Sequence, residues 1–231
     1  MGVDSATVMK WILEAVKLRS RCDIDPTVIH VSEVVGCLRK AYYSRTRPLT
    51  VTPANALKIL GGNIHESLQE VLRRYGYETE FRVAVSAGGV KLVGHADAYH
   101  PEKQHVLEFK TTSKLPERPY PEHVRQAQAY VTLTNSKKAY IIYISRADGR
   151  VKVFEVGPDK QVLRELIQRA RELSQSLITR EPPPPEPTHL CNYCEHKLTC
   201  RRKAYSAPSS LSTIFSLDLS RPLRSSRGTT R

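Results

Sequence analysis

The chain has 231 residues, 40% of them hydrophobic, which suffices for one substantial core plus an appendage and excludes a wholly disordered protein. Its formal net charge is +13, and residues 201–231 hold seven Arg or Lys against Asp218 alone, leaving a net +7 on the body, so a polyanionic partner is expected of the whole chain. No window reaches the roughly 18 consecutive apolar residues of a spanning helix, and the N-terminus lacks the basic and apolar regions of a secretory signal, so a cytoplasmic protein off the membrane is expected.

In chain order, residues 5–19 read as a first helix and "HVSEVVGCLRKAYYSR", residues 30–45, as a second. Leu57, Leu60, Ile64, Leu68, Val71 and Leu72 recur at helical spacing over 54–75, although Gly61 and Gly62 weaken that helix locally. Strands are predicted near 79–85, 90–99, 104–110, 139–145 and 150–156, separated by "SAGG", "HPEKQ" and "RADGR" turns, with helices over 121–134 and 159–175. This order predicts an α/β protein with a mixed central sheet flanked by helices, the third strand crossing over through the 121–134 helix. "EPPPPEP", residues 181–187, is a stiff spacer that delivers the chain to a cysteine segment. Three regions follow: a body over 1–180, the spacer and cysteine segment over 181–205, and a basic tail over 206–231 that is expected to be flexible.

"VLEFKTT", residues 106–112, puts Glu108 and Lys110 on one face of an otherwise apolar strand. An isolated Glu-x-Lys is also what a solvated edge strand shows, so its neighbours decide. "KLVGHADAY" just upstream places Asp97 on the preceding strand, and an antiparallel turn over 100–104 would bring Asp97 and Glu108 to one end of the sheet. Two carboxylates that close repel unless a cation lies between them, and a hard divalent ion suits their oxygens. Lys110 could then steady a water or the charge of a phosphate. These are the parts of a phosphodiester hydrolase.

"GHADAY", followed eleven residues beyond Asp97 by "EFK", resembles the Asp…Glu-x-Lys core of the restriction-endonuclease-like superfamily. "GGNIHE" supplies the extra histidine of its RecB-like branch and "QAQAY" that branch's Gln-x-x-x-Tyr element. With the cysteines added, residues 30–203 look like the small CRISPR-associated RecB-like nuclease that carries an iron-sulphur cluster. The resemblance implies a restriction-endonuclease-like core in which His65, Asp97, Glu108 and the Phe109 carbonyl hold Mg or Mn, and Lys110 is the catalytic lysine. It implies that Gln126 and Tyr130, four apart and so on one helix face, lie beside the active site. It also implies a DNA exonuclease acting on single strands or ends during CRISPR spacer acquisition, an antiviral defence role with integrase proteins as partners. A noncatalytic DNA-binding scaffold is the competing reading, disfavoured because a mere binding module has no need of two acids facing a phosphate backbone.

Five cysteines, an odd number, argue for ligation over disulfides. "CNYCEHKLTC" gives Cys191, Cys194 and Cys200 in a C-x2-C-x5-C pattern. The family pattern supplies Cys37 as a fourth ligand and leaves Cys22 as a spare apolar group. Structural zinc suits four thiolates equally; the resemblance favours an iron-sulphur cluster, [4Fe-4S] or [2Fe-2S].

Overall fold

The computed structural model describes residues 4, 7–12, 14, 24–47 and 53–204, the side chains of 53–61, 63 and 201–204 excepted. Residues 7–12 and 14 are helical, as far as the helix expected over 5–19 is described; its remainder, Cys22 and the tail 206–231 lie outside the described residues.

The expected second helix is divided. A short strand β1 (Val28–His30) comes first, then one turn of helix α1 (Val31–Val34), a break at Gly36 and Cys37, and α2 (Leu38–Thr46). Glu33 closes α1 by accepting the His30 N–H, and it also takes the Arg45 guanidinium, which ties α2 back onto β1. Helix α3 (Pro53–Arg74) runs through Gly61 and Gly62 without interruption. Strands β2 (Glu78–Ala87), β3 (Val90–His100) and β4 (His105–Thr112) follow, then α4 (Pro121–Leu133), β5 (Lys138–Ser145), β6 (Val151–Val156) and α5 (Lys160–Thr179). Pro121 suits the first turn of α4, where its missing N–H costs nothing. Asp159 caps α5 by accepting from the Gln161 and Val162 N–H groups.

The six strands form one mixed sheet in the order β1-β3-β4-β5-β6, with β2 pairing β3 as well. The β4–α4–β5 crossover is parallel, in register from His105↔Lys138 to Thr112↔Ser145, as the predicted crossover requires. The main core lies between the sheet and helices α1, α2, α4 and α5, where Ile29, Leu92, Val106, Tyr143, Leu166 and Leu173 are fully buried. A smaller cluster on the opposite face packs Ala98, Leu107 and Phe109 under Leu68 and Leu72 of α3. No described helix is long and apolar enough to cross a membrane.

The cysteine segment departs from expectation. Among the described residues, no group of three or more His, Cys, Asp or Glu is placed to hold a metal ion, so neither the iron-sulphur cluster nor a zinc site is formed by Cys37, Cys191, Cys194 and Cys200. All four cysteines are free thiols. Cys191 is exposed and accepts from the Thr188 N–H at the start of a 3-10 turn (His189–Tyr193), whereas Cys200, on α6 (Lys197–Ala204), packs against the main core 4.0 Å from the Arg39 guanidinium. Burial pushes the Cys194 thiol above its ordinary pKa, which favours the protonated form. The anchoring expected of a cluster is performed by polar side chains. Glu186 accepts from the Leu38 N–H at 2.9 Å and from both Arg169 terminal nitrogens at 2.6 and 3.1 Å, and the Arg39 Nε donates to the Pro183 carbonyl at 2.6 Å.

Candidate active site

The site is built on an interruption in the sheet. β2 lines one edge of β3 from Val90 to Tyr99, so β1 and β4 must share the other edge. β1 pairs there with Lys91–Val93 and β4 with Ala98–His100, which leaves Gly94–Asp97 without a ladder partner on that edge. The opposite ladder is disturbed at the same level, since its register skips Glu80 and Asp97, and Glu80 takes a left-handed φ of 51°. Beyond Leu107, β4 leaves β3 and keeps its pairing with β5 alone. Two layers reach into this gap: His65 from α3, and Gln126 with Tyr130 from α4.

Within the gap, the Asp97 carboxylate replaces a missing backbone acceptor: its Oδ2 takes the Phe109 N–H at 2.6 Å, while Oδ1 lies 3.5 Å from His65 Nδ1. Lys110 Nζ donates to Glu108 Oε1 at 2.7 Å and to Gln126 Oε1 at 3.0 Å. Gln126 Nε2 in turn donates to the Tyr130 hydroxyl at 3.1 Å. Glu108 Oε2 is buried and has no partner at all.

Burial, and secondly the charge of Asp97, push the Glu108 carboxyl up to about 7, with Lys110 opposing them. The hydrogen bond to Asp97 raises His65 against the effect of burial and favours the imidazolium. Burial and then the charge of Glu108 raise the Tyr130 phenol, so its hydroxyl remains protonated. The site thus holds two neighbouring carboxylates, one paired with His65 and the other with Lys110 through a single oxygen, which leaves Glu108 Oε2 buried and unmet.

The structure brings His65, Asp97, Glu108, Lys110, Gln126 and Tyr130 together as one cluster, with differences in detail. The ligand set expected for Mg or Mn is not preassembled: His65 stands as a cationic partner of Asp97, Lys110 holds one Glu108 oxygen, and Phe109 meets Asp97 through its N–H. The unpartnered Glu108 Oε2 nevertheless has the chemistry of a cation ligand, as a hard oxygen buried beside a second carboxylate. The sequence reading missed a neighbouring cluster. Tyr143 of β5 stands in register with Lys110 and is bonded to His123 and Tyr120 at the entrance of α4. His123 lies three residues before Gln126, and that helical spacing was the signal available for it.

Residues 68–201 match the family model described as the PD-(D/E)XK nuclease superfamily. The structure resembles the crystal structure of SSO0001, with 26% identity and a TM-score of 0.63, covering 87% of this chain and 98% of that one. Weaker likenesses include a putative exonuclease from Eubacterium rectale (12% identity, TM-score 0.49, 85% of this chain and 93% of that one). The alkaline exonuclease LHK-Exo from Laribacter hongkongensis, in complex with dAMP, is another (13% identity, TM-score 0.46, 86% of this chain and 100% of that one). Superpositions this loose add nothing to the assignment. No curated protein matches the chain. The family match is to the superfamily as a whole and brings neither a CRISPR association nor a cluster, so the narrower branch implied by the sequence, with its spacer-acquisition role and integrase partners, is set aside. The two neighbouring carboxylates and the lysine at a break in a mixed sheet, with the family match across them, establish that the chain belongs to the PD-(D/E)XK nuclease superfamily and is a nuclease.

Proposed function

We propose that this nuclease hydrolyses DNA phosphodiester bonds at Asp97, Glu108 and Lys110 with the help of a divalent cation, acting exonucleolytically on single strands or DNA ends. The observation that carries the reading is Glu108, whose Oε2 is buried without a partner beside a second carboxylate. A buried acceptor left in that state is costly, and a divalent cation would satisfy it while relieving the repulsion between the two acids. Asp97 and Glu108 would hold the ion, with His65 in reach once its proton is released. When bound, a divalent ion stabilises charge on a phosphate oxygen and makes water a stronger acid.

The protein's own groups account for the rest. Lys110 carries a fixed positive charge, and its bonds to Glu108 and Gln126 orient it where a phosphate meets the carboxylates. Gln126 is itself held by Tyr130, so the ammonium is positioned before substrate arrives. The recess supports the preference for single strands and ends, because Asp97 and Glu108 are only 9% and 2% exposed and a flexible strand can bring one phosphate down to them. The net charge of +13 supports a nucleic-acid polyanion as the partner.

The test is incubation of end-labelled single-stranded and duplex DNA with the purified protein, in Mg or Mn and in chelator. Metal-dependent shortening of single strands, abolished in Asp97→Ala and Glu108→Ala, is the expected result. Undiminished cleavage by Asp97→Ala protein would overturn the assignment of the site.

A further inference from the structure

Tyr143 and Lys110 are register partners on adjacent parallel strands, so their side chains leave the same face of the sheet side by side. The Tyr143 side chain is fully buried, and its hydroxyl is shared between the Tyr120 N–H at 3.0 Å and His123 Nδ1 at 2.8 Å. The Tyr120 ring rests edge-on against both of them, with centroids 5.9 Å from Tyr143 and 5.6 Å from His123 and interplanar angles of 76° and 84°. His123 shares an α4 face with Gln126, whose Oε1 receives the Lys110 ammonium at 3.0 Å. Neighbouring positions on β4, β5 and α4 therefore lead from the lysine to the Tyr120 ring, and the Lys110 charge acts on His123. Although braced from behind by two rings, Tyr120 is 37% exposed. A large aromatic side chain held by two rings and still partly open to solvent, at the start of the helix that carries Gln126, offers surface that a planar group of the substrate can cover.

We propose that Tyr120 is a stacking platform for a nucleobase of the substrate strand, which seats the adjoining phosphate at Lys110. This deepens the DNA-cleavage reading and rests on it. The ligand class is a nucleobase of any sequence, because every base offers a π-face to an aromatic ring. Rigidity matters to the role, since a ring already fixed by Tyr143 and His123 loses little freedom on stacking. Tyr120 is a binding residue, and Tyr143 and His123 are positioning residues that act through it.

The test uses the full-length protein and a set of short single strands of one length, each with one abasic residue at a successive position. Affinity is read in chelator, where hydrolysis does not intervene, for wild type, Tyr120→Phe and Tyr120→Ala. In wild type and Tyr120→Phe, one or two abasic positions should weaken binding by roughly 5- to 150-fold, and in Tyr120→Ala that position-specific penalty should vanish. Tyr120→Phe keeps the ring, so a loss common to both variants would mark a structural role and overturn the proposal. An abasic profile identical in wild type and Tyr120→Ala would overturn it equally. Absence of cleavage by wild-type protein in Mg or Mn would instead defeat the hydrolysis reading, an outcome told apart because the chelator experiment requires no turnover.

Discussion

Gly94 and Tyr130 approach so closely that a Cβ added to Gly94 would lie 2.5 Å from Tyr130 Cε1 and 3.0 Å from its hydroxyl. Gly94 lies where β3 has no ladder partner on one edge, and its missing side chain admits the ring that holds Gln126, which in turn holds Lys110. Gly94→Ala must therefore displace a 2% exposed tyrosine, and overpacking of this kind costs about 1–3 kcal/mol. Equilibrium denaturation should show that loss. Cleavage should fall further than the small unfolded fraction explains, because the displacement is passed on to Lys110.

Stability of the chelator-treated protein should fall as pH rises from about 4.5 to about 7, because the Glu108 carboxyl is raised across that interval. Folded protein binds the extra proton there, so the stabilisation is complete below the unfolded pKa and lost as pH climbs through the folded one. A shift of this size corresponds to on the order of 3 kcal/mol. His65, also raised, acts in the same direction above 6.5. Denaturant melts of Glu108→Gln against wild type should differ little at pH 4.5 and favour the variant at pH 8.

Lys110→Ala should reduce cleavage by about 100-fold or more, the scale of losing a group aimed at developing charge. DNA affinity should change far less, since one phosphate contact among many is removed. The substitution also deletes a group that lowers Glu108, so the titration of that carboxyl should move to still higher pH. Single-turnover rates and binding isotherms, measured separately, check the two parts.

Glu186→Ala should destabilise the fold by about 1–3 kcal/mol, because it leaves the Leu38 N–H without its acceptor and strips the carboxylate from the Arg169 guanidinium, which keeps the Val34 and Gly36 carbonyls. For a chain of this size the thermal midpoint should drop by about 2–4 °C per kcal/mol. Burial raises the Glu186 carboxyl, yet Arg169 and the Leu38 N–H outweigh it and hold the group below its ordinary value. Its contribution should therefore be present above 4.5 and fade as pH falls below that, opposite in sign to Glu108.

DNA binding should weaken steeply with salt. Each phosphate neutralised by Lys or Arg releases condensed counterions, so the logarithm of affinity should fall linearly with the logarithm of salt concentration. Titrations between about 50 and 200 mM salt read the slope. A truncation that ends at residue 205 retains a net charge of +10 and should keep most of the slope, because the folded body supplies the contacts.

The strands and the crossover helix were legible in the sequence because they rest on local periodicity, whereas His65 joined Asp97, Glu108 and Lys110 only through the family resemblance. A period of two marks a strand, and a spacing of three or four marks a helix face. Alternation along "VLEFKTT" alone places Glu108 and Lys110 together, and the observed bond between them follows. Tertiary structure decided the rest. The break in the edge of β3 depends on where β1 and β4 end against it, and β1 itself, three residues long, is too short to declare a period. The fit of Tyr130 over Gly94 and the support of Tyr120 by Tyr143 join residues from separate elements, so no local pattern announces them. The cysteines mark the limit most plainly. Their spacing suits a common ligand, but ligation requires four sulphurs to converge, and the fold turns Cys191 to solvent while it packs Cys200 against the core beside Arg39. Spacing along a chain is a local property, whereas convergence depends on how Glu186, Arg169 and Arg39 dock the whole segment.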